Sequence, residues 1–162
     1  MTREGRVVAV CLGPGGFPKH PVARAEVDAH GLVGDGHRSR EHGGPERAVC
    51  LLSVEETRAL EAEGVAPQGP GGYAENLLVE GLDFGSLRPG DRVALSAART
   101  SEDTEPVWIE LTNVRAPCAR LKEIDRRFPD LMLGRSGFLA RVLVGGSVEP
   151  GMKVARGEHG SP

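Results

Sequence analysis

The sequence predicts a mainly β protein: a single, largely antiparallel barrel or curled sheet with two or so short helices. Three observations predict it. Glycine and proline are abundant, 23 and 12 residues, and are spread along the chain, so they mark many turns and not a disordered tail. Between them lie short apolar runs rich in β-branched residues, the composition of strands. Two Pro-Gly turns, Pro89-Gly90 and Pro150-Gly151, each lead into a strand-like run with valine at the third position after the glycine, the pattern of barrel corners.

Taken in order, RVVAVCL (6–12) reads as a buried strand, and GPGGFPKHPV (13–22) as a long connection without regular structure. A strand is predicted around Ala25–Val27, ending in the turn His30-Gly31. GDGHRSREHGGPERA (34–48) has almost no apolar content and must be a polar loop. AVCLLSV (48–54) is the next strand. Ser53 then caps a helix over 55–64, with Glu56 completing a capping box, Ala59 and Leu60 facing inward and Gly64 as the stop. Short strands follow at Leu77–Val79 and Arg92–Leu95. PVWIELTNV (106–114) alternates, with Val107, Ile109 and Leu111 on one face; Trp108 and Phe138 are assigned to the core. AARTSED (97–103) reads as an insertion in a hairpin. APCARLKEIDRRF (116–128) is predicted helical after Pro117, SGFLARVLVGG (136–146) as a strand or strand pair, and the final HGSP as a frayed tail.

At 162 residues the chain is expected to be one domain, 1–162, large enough to bury a core without staples. Hydrophobic content of 39% with 27% charge describes a soluble globular protein. A net charge of −3 argues against a general nucleic-acid binder or a membrane-surface binder, and no apolar run is long enough to span a bilayer or form a signal peptide. Three cysteines make no disulfide framework, and the odd count leaves at least one free thiol, which points to the cytoplasm.

Chemistry concentrates in three places. Cys11 and Cys50 sit in apolar runs, as small buried hydrophobes do. Cys118 does not. It stands in RAPCARL, between Arg115 and Arg120, where the expected first turn of a helix and two cations favour a thiolate, the form that attacks electrophiles and binds soft metals. The competing reading is an ordinary loop cysteine. No second cysteine lies near enough for a Cys-x-x-Cys zinc site. The loop 34–49 gathers Asp35, His37, Arg38, Arg40, His42, Gly43-Gly44 and Arg47. The glycines let backbone approach a ligand, and Arg47 offers a planar fork to phosphate or carboxylate; the alternative is a solvated loop. Zinc at His37 and His42 lacks a third ligand. Glu75 and Asn76 precede a strand, where Asn76 either caps a turn or offers donor and acceptor to a heterocycle. No phosphate loop, serine elbow or paired-carboxylate motif is present.

In this order, PGGFPKHPV, GLVGD, HGGPERAVCLLS, ENLLVEGLD, LRPGDRV, the PC of RAPCARL, GFLARVL and V-x-PG-x-x-V resemble the MOSC domain, named for the C-terminal part of molybdenum cofactor sulfurase. The likeness runs from about Val7 to Val154 and is nearest to the small stand-alone bacterial type. It implies a closed, mixed β-barrel of the MOSC and pyruvate-kinase-barrel kind, with a few short peripheral helices. It also implies that Cys118 is the functional cysteine, which carries sulfur in the sulfurases and ligates the metal of a pterin cofactor in molybdenum-dependent amidoxime reductases. Asn76 matches a position at the cofactor pocket, and the HGGPER loop, with His42, Gly43, Gly44 and Arg47, borders it. One departure stands out: relatives that hold the pterin firmly often have an arginine two positions before the asparagine, where this chain has Ala74. Arg47 and Arg115 are the cations that can replace it.

The resemblance leaves three functions open. The first is a molybdenum-cofactor (molybdopterin) protein with Cys118 as metal ligand, reducing N-hydroxylated small molecules such as hydroxylaminopurines with electrons from a separate reductase. The second is a sulfur carrier holding a persulfide on Cys118. The pyridoxal-phosphate desulfurase domain of the larger sulfurases has no counterpart here, so a cysteine desulfurase partner is expected in that case. The third is a cofactor-free binding or redox-sensing module.

Overall fold

The computed structural model describes residues 4–36, 44–99 and 104–158. Its elements are β1 (Glu4–Leu12), β2 (His20–Val22), β3 (Ala25–Asp28), β4 (Gly31–Leu32), β5 (Val49–Ser53), α1 (Val54–Ala62), β6 (Leu77–Glu80), β7 (Arg92–Ser96), β8 (Val107–Val114), β9 (Phe138–Val144), β10 (Gly146–Val148) and β11 (Lys153–Arg156). Strands β11, β7, β8, β9, β5, β6 and β1 pair in that order, and β1 pairs back onto β11, so the sheet closes into a barrel. Closure removes the free edges that an open sheet would expose. The barrel is mixed because β5 and β6, joined through α1, run parallel while the other pairs are antiparallel. Strand β2 extends the sheet from β1, and β10, β3 and β4 form a separate small sheet.

Period-two alternation fills the barrel. Val49 and Leu51 of β5, Leu77 and Val79 of β6, Val93 and Leu95 of β7, and Val107, Ile109 and Leu111 of β8 all enter one buried cluster. Each such side chain removed from water contributes about 1.5–3 kcal/mol. The opposite faces of β1, β5 and β6 supply Ala9, Cys11, Leu52 and Leu78 to a second cluster under α1, with Leu60, Tyr73, Leu121, Phe128 and Met132. A register shift between Val7 and Ala9 on the β1–β6 ladder explains how β1 serves both. The extra residue changes the parity of the strand, so Val7 and Val10 both point into the barrel while Val8 is exposed.

The Pro-Gly turns are confirmed as equivalent corners. In each, the residue after glycine donates to the residue before proline (Asp91 N to Arg88 O, Met152 N to Glu149 O), and β7 and β11, which follow them, lie side by side. Helix α1 starts as expected: the Ser53 hydroxyl accepts the Glu56 N–H at 3.4 Å. The Glu56 carboxylate turns to Arg135 instead of closing a capping box. The helix ends with Gly64 N–H on Glu61 O and Val65 N–H on Leu60 O, the paired bonds of a Schellman motif, with Gly64 at φ 94°.

Four further expectations are corrected. The helix predicted after Pro117 is a five-residue 3-10 turn, Ala119–Glu123, followed by turns; Leu121, Ile124 and Phe128, spaced as a helical stripe would be, reach the second cluster from this 3-10 and turn geometry instead. Ala59 is exposed, because a nine-residue helix with one narrow apolar stripe buries Leu60 and Val54 only. Trp108 lies half-buried on the outer face of β8, as its alternation with Val107 and Ile109 requires, whereas Phe138 is core. His20–Val22, read as irregular, adds a short strand to β1. Residues 97–99 continue from β7 toward β8 as a hairpin connection; 100–103, and the HGSP tail, lie outside the described residues.

Candidate functional site

Three adjacent strands build the floor of a cleft. Asn76, at the entry to β6, lies between Cys50 of β5 and Cys11 of β1: its N–H donates to Cys50 O at 2.9 Å and its C=O accepts from Cys11 N at 2.8 Å. Its side chain repeats the bridge. Oδ1 accepts the Cys50 N–H at 3.0 Å, while Nδ2 donates to Cys11 O at 3.2 Å and to Asp35 Oδ2 at 2.9 Å. Asn76 is 2% exposed. Both of its N–H donors are committed to protein, so it fixes the floor and does not present a free amide to a heterocycle.

Asp35 is held from three sides. Oδ1 accepts Gly13 N–H at 3.1 Å, and Oδ2 takes both Asn76 and the Lys19 ammonium, the latter at 2.6 Å. The next wall is the loop before β6. There the Glu75 carboxylate, 1% exposed, accepts the N–H groups of Gly71 at 2.6 Å and Tyr73 at 3.1 Å. Burial pushes the Glu75 carboxyl up from its ordinary range, opposed by those backbone donors and by the Arg115 charge. Between Tyr73 and Glu75, Ala74 is held at φ 62°, a left-handed conformation that costs a non-glycine residue about 1–2 kcal/mol.

The far wall comes from the chain leaving β8. Arg115 is anchored through its N–H to Gly137 O at 2.9 Å and by its C=O, which accepts from Ser136 Oγ at 2.6 Å. Its guanidinium reaches across to Tyr73 O at 2.6 Å, beside Ala74. Cys118 follows, exposed, at the cap of the 3-10 turn. That turn is too short to carry the helix field expected at Cys118, so its chemical character rests on exposure and neighbours. Arg120 lies 5.2 Å from the centre of the Phe17 ring, which ties the Cys118 turn to the loop after β1.

These walls enclose about 320 Å³, lined by Phe17, Lys19, Gly36, Arg47, Cys50, Tyr73, Ala74, Asn76, Arg115, Cys118 and Arg120 among others. The size suits a small molecule or part of a cofactor. Of the residues expected at the site, the structure brings Cys118, Asn76, Arg47 and Arg115 together on this cleft. Gly44, at φ 96°, is outside its lining. His42 and Gly43, with the zinc candidate His37, lie outside the described residues. Among the described residues no three His, Cys, Asp or Glu side chains are grouped to hold a metal ion by themselves.

The three thiols differ. Burial pushes Cys11 up to about 12 and raises Cys50 as well, so both stay protonated and inert at neutral pH. Cys118 is the exposed one. Sequence reasoning missed Phe17 and Lys19, which sit in a stretch read as mere connection, and placed Cys50 in the core without seeing that it also faces the cleft. The signal available was their presence in PGGFPKHPV and HGGPERAVCLLS, two of the segments that carry the family likeness.

Comparison with known proteins agrees with the architecture. The chain is 31% identical over 156 residues to the uncharacterized protein YflK of Bacillus subtilis (strain 168), covering 90% of this chain and 66% of that one. It is 30% identical over 146 residues to a protein of Gibberella moniliformis named Reductase, covering 83% of this chain but only 24% of that one. The chain thus spans just under two thirds of the first relative and about a quarter of the second. The crystal structure of the YuaD protein from Bacillus subtilis shares the fold at a TM-score of 0.76, covering 96% of this chain and 97% of that one at 18% identity. No helix among the described residues is long and apolar enough to cross a membrane. The MOSC domain model matches residues 38–155, a span that includes Asn76, Arg115 and Cys118, and the chain belongs to the MOSC domain family.

Proposed function

We propose that this protein binds a molybdenum–pterin cofactor with Cys118 as a ligand to the metal, and that it reduces N-hydroxylated small molecules with electrons from a separate reductase. The observation that carries the reading is the cleft itself: the exposed thiol of the chain stands at its wall beside Arg47, Arg115 and Arg120. MOSC domains are linked to the molybdenum cofactor. The donor set fits such a group. A thiolate is a soft ligand suited to molybdenum, and guanidinium groups suit a phosphate-bearing cofactor. Arg115 brings its charge to Tyr73 O, next to the position where Ala74 replaces the arginine of many relatives. The Gibberella moniliformis relative is named Reductase, which agrees with a redox role.

Within this reading Cys118 holds the metal, and Arg115 and Arg47 balance the cofactor's negative charge. Asn76 and Asp35 keep the floor rigid, and Phe17, Tyr73 and Leu121 exclude water from the ligand. Bound there, the cofactor supplies two-electron chemistry at an oxygen atom.

A second reading rests on the exposure of Cys118, which suits a persulfide handed over by a cysteine desulfurase. One experiment separates the two. After expression in a host that makes the cofactor, molybdenum per chain and intact mass are measured for wild type and Cys118→Ala. Stoichiometric molybdenum, lost in the variant, supports the proposal. Metal-free wild type carrying the mass of one added sulfur atom, absent from Cys118→Ala, replaces it with the carrier. Neither signal in either protein leaves a cofactor-free module.

A further inference from the structure

The cleft contains a buried cation that none of these roles uses. The Lys19 and Asp35 side chains are 7% and 2% exposed, and their ion pair at 2.6 Å lies where water is scarce. The two partners are unequally satisfied. The Asp35 oxygens accept three protein donors, from Gly13, Lys19 and Asn76. The Lys19 ammonium carries three N–H donors, and among the described residues its one hydrogen-bond partner is Asp35. Lys19 lines the cleft. A buried ammonium with open donors favours whatever places an acceptor against it.

Its position is also fixed in advance. The Lys19 N–H donates to Gly71 O at 2.8 Å. Gly71, at φ 85°, packs so closely that a Cβ there would stand 2.1 Å from Lys19 O. Asp35, itself held by Gly13 and Asn76, then sets the ammonium. Lys19 enters the cleft from the loop after β1, whereas Cys118 enters from the chain after β8, and in the closed barrel β1 and β8 are separated by β11 and β7 on one side and by β9, β5 and β6 on the other. A ligand lying between the two loops meets the thiol from one and the ammonium from the other. Two of the other lining cations already have partners within the protein: Arg115 with Tyr73 O, and Arg120 with the Phe17 ring and Glu123.

We infer that Lys19 is the specificity-determining donor of the cleft: its ammonium hydrogen-bonds the oxygen of an N-hydroxyl group and so separates an N-hydroxylated ligand from its deoxygenated counterpart. Lysine donates and never accepts, so a ligand lacking that oxygen leaves the buried donors unmet and binds more weakly. The inference rests on the reductase reading of the same cleft. The shared chemistry is an oxygen acceptor, and an oxygen of the cofactor is the competing source.

The test is calorimetric titration of the cofactor-loaded protein, without an electron donor so that nothing turns over, using 6-hydroxylaminopurine and adenine as probes. Wild type is expected to prefer the hydroxylated probe by roughly 10- to 100-fold, the worth of one hydrogen bond to a charged group. Lys19→Met alone would strand the Asp35 charge, so the informative variant is Lys19→Met with Asp35→Asn, which removes both charges together. That variant is expected to lose most of the preference while still binding adenine and molybdenum and unfolding cooperatively, at the lower stability that giving up one of the Asp35 contacts with Gly13 and Asn76 entails. An unchanged preference overturns the assignment. Lost molybdenum with the preference intact in the remaining loaded fraction also overturns it, since Lys19 would then serve the cofactor. Wild type that binds neither probe removes the reductase reading, and the assignment with it.

Discussion

Replacing Asn76 by alanine tests the floor of the cleft. The side chain is 2% exposed and makes three hydrogen bonds, to Cys50 N, Cys11 O and Asp35 Oδ2. Truncation removes the Oδ1 acceptor from the Cys50 N–H and the Nδ2 donor from the Cys11 carbonyl, at the buried floor of the cleft. Each stranded buried group costs about 1–3 kcal/mol, and the lost bond to a charged carboxylate adds to that, so the expected loss is roughly 3–6 kcal/mol. Against a total stability on the order of 5–15 kcal/mol this is a large fraction. The melting temperature should fall by roughly 10–20 °C for a chain of this size. Urea unfolding followed by circular dichroism measures it as a lower midpoint at unchanged slope. Asn76→Asp sharpens the test: it keeps the Oδ1 acceptor but sets a second carboxylate against Asp35, so it should be at least as damaging at neutral pH and less so in acid. A loss below about 1 kcal/mol in Asn76→Ala would refute the argument that this carboxamide ties β1, β5 and β6 together.

Other outcomes follow from the same geometry. Ala74→Gly should stabilise the protein by about 1 kcal/mol, because glycine adopts φ 62° without the clash of a Cβ; equal or lower stability in thermal unfolding would show that Ala74 is not strained. A chromogenic disulfide reagent at neutral pH should titrate one thiol in the native protein, none in Cys118→Ala and all three after unfolding; fast reaction of Cys11 or Cys50 in the native state would contradict their burial. Cys11 in the folded protein holds its proton up to about 12 against an ordinary 9.0. The unfolded thiol therefore ionises first as pH rises, so this contribution is whole below pH 9 and is lost between 9 and about 12. Alkaline unfolding in that window should be shallower for Cys11→Ala, and identical slopes would count against it.

What the sequence disclosed was local, and what it concealed was long-range. Strand β8 was legible because Val107, Ile109 and Leu111 alternate with polar residues, a pattern set by the pleat itself. The start and stop of α1 were legible because Ser53 and Gly64 have conformational reasons to stand there. Closure of β1 onto β11 was not, since the register of Gly5 against Val154 leaves no trace in either segment. The bulge in β1 was equally silent, because VVAV reads as one buried run whichever residue is inserted. At the site, Cys118 was visible from its unusual neighbours, though the helix expected to activate it is a short turn. Lys19 was invisible: its meaning comes from Asp35, which arrives from a different loop, and from Gly71, which arrives from a third. A buried ion pair is a property of three converging segments, and no one of them carries its signature.

The central claim is that the Cys118 sulfur binds molybdenum. X-ray absorption at the molybdenum edge of the purified, cofactor-loaded protein reads the metal's neighbours directly. The account predicts that Cys118→Ser, wherever it retains metal, shows one sulfur neighbour fewer than wild type and a lighter scatterer in its place. An identical sulfur count in the two proteins would contradict it.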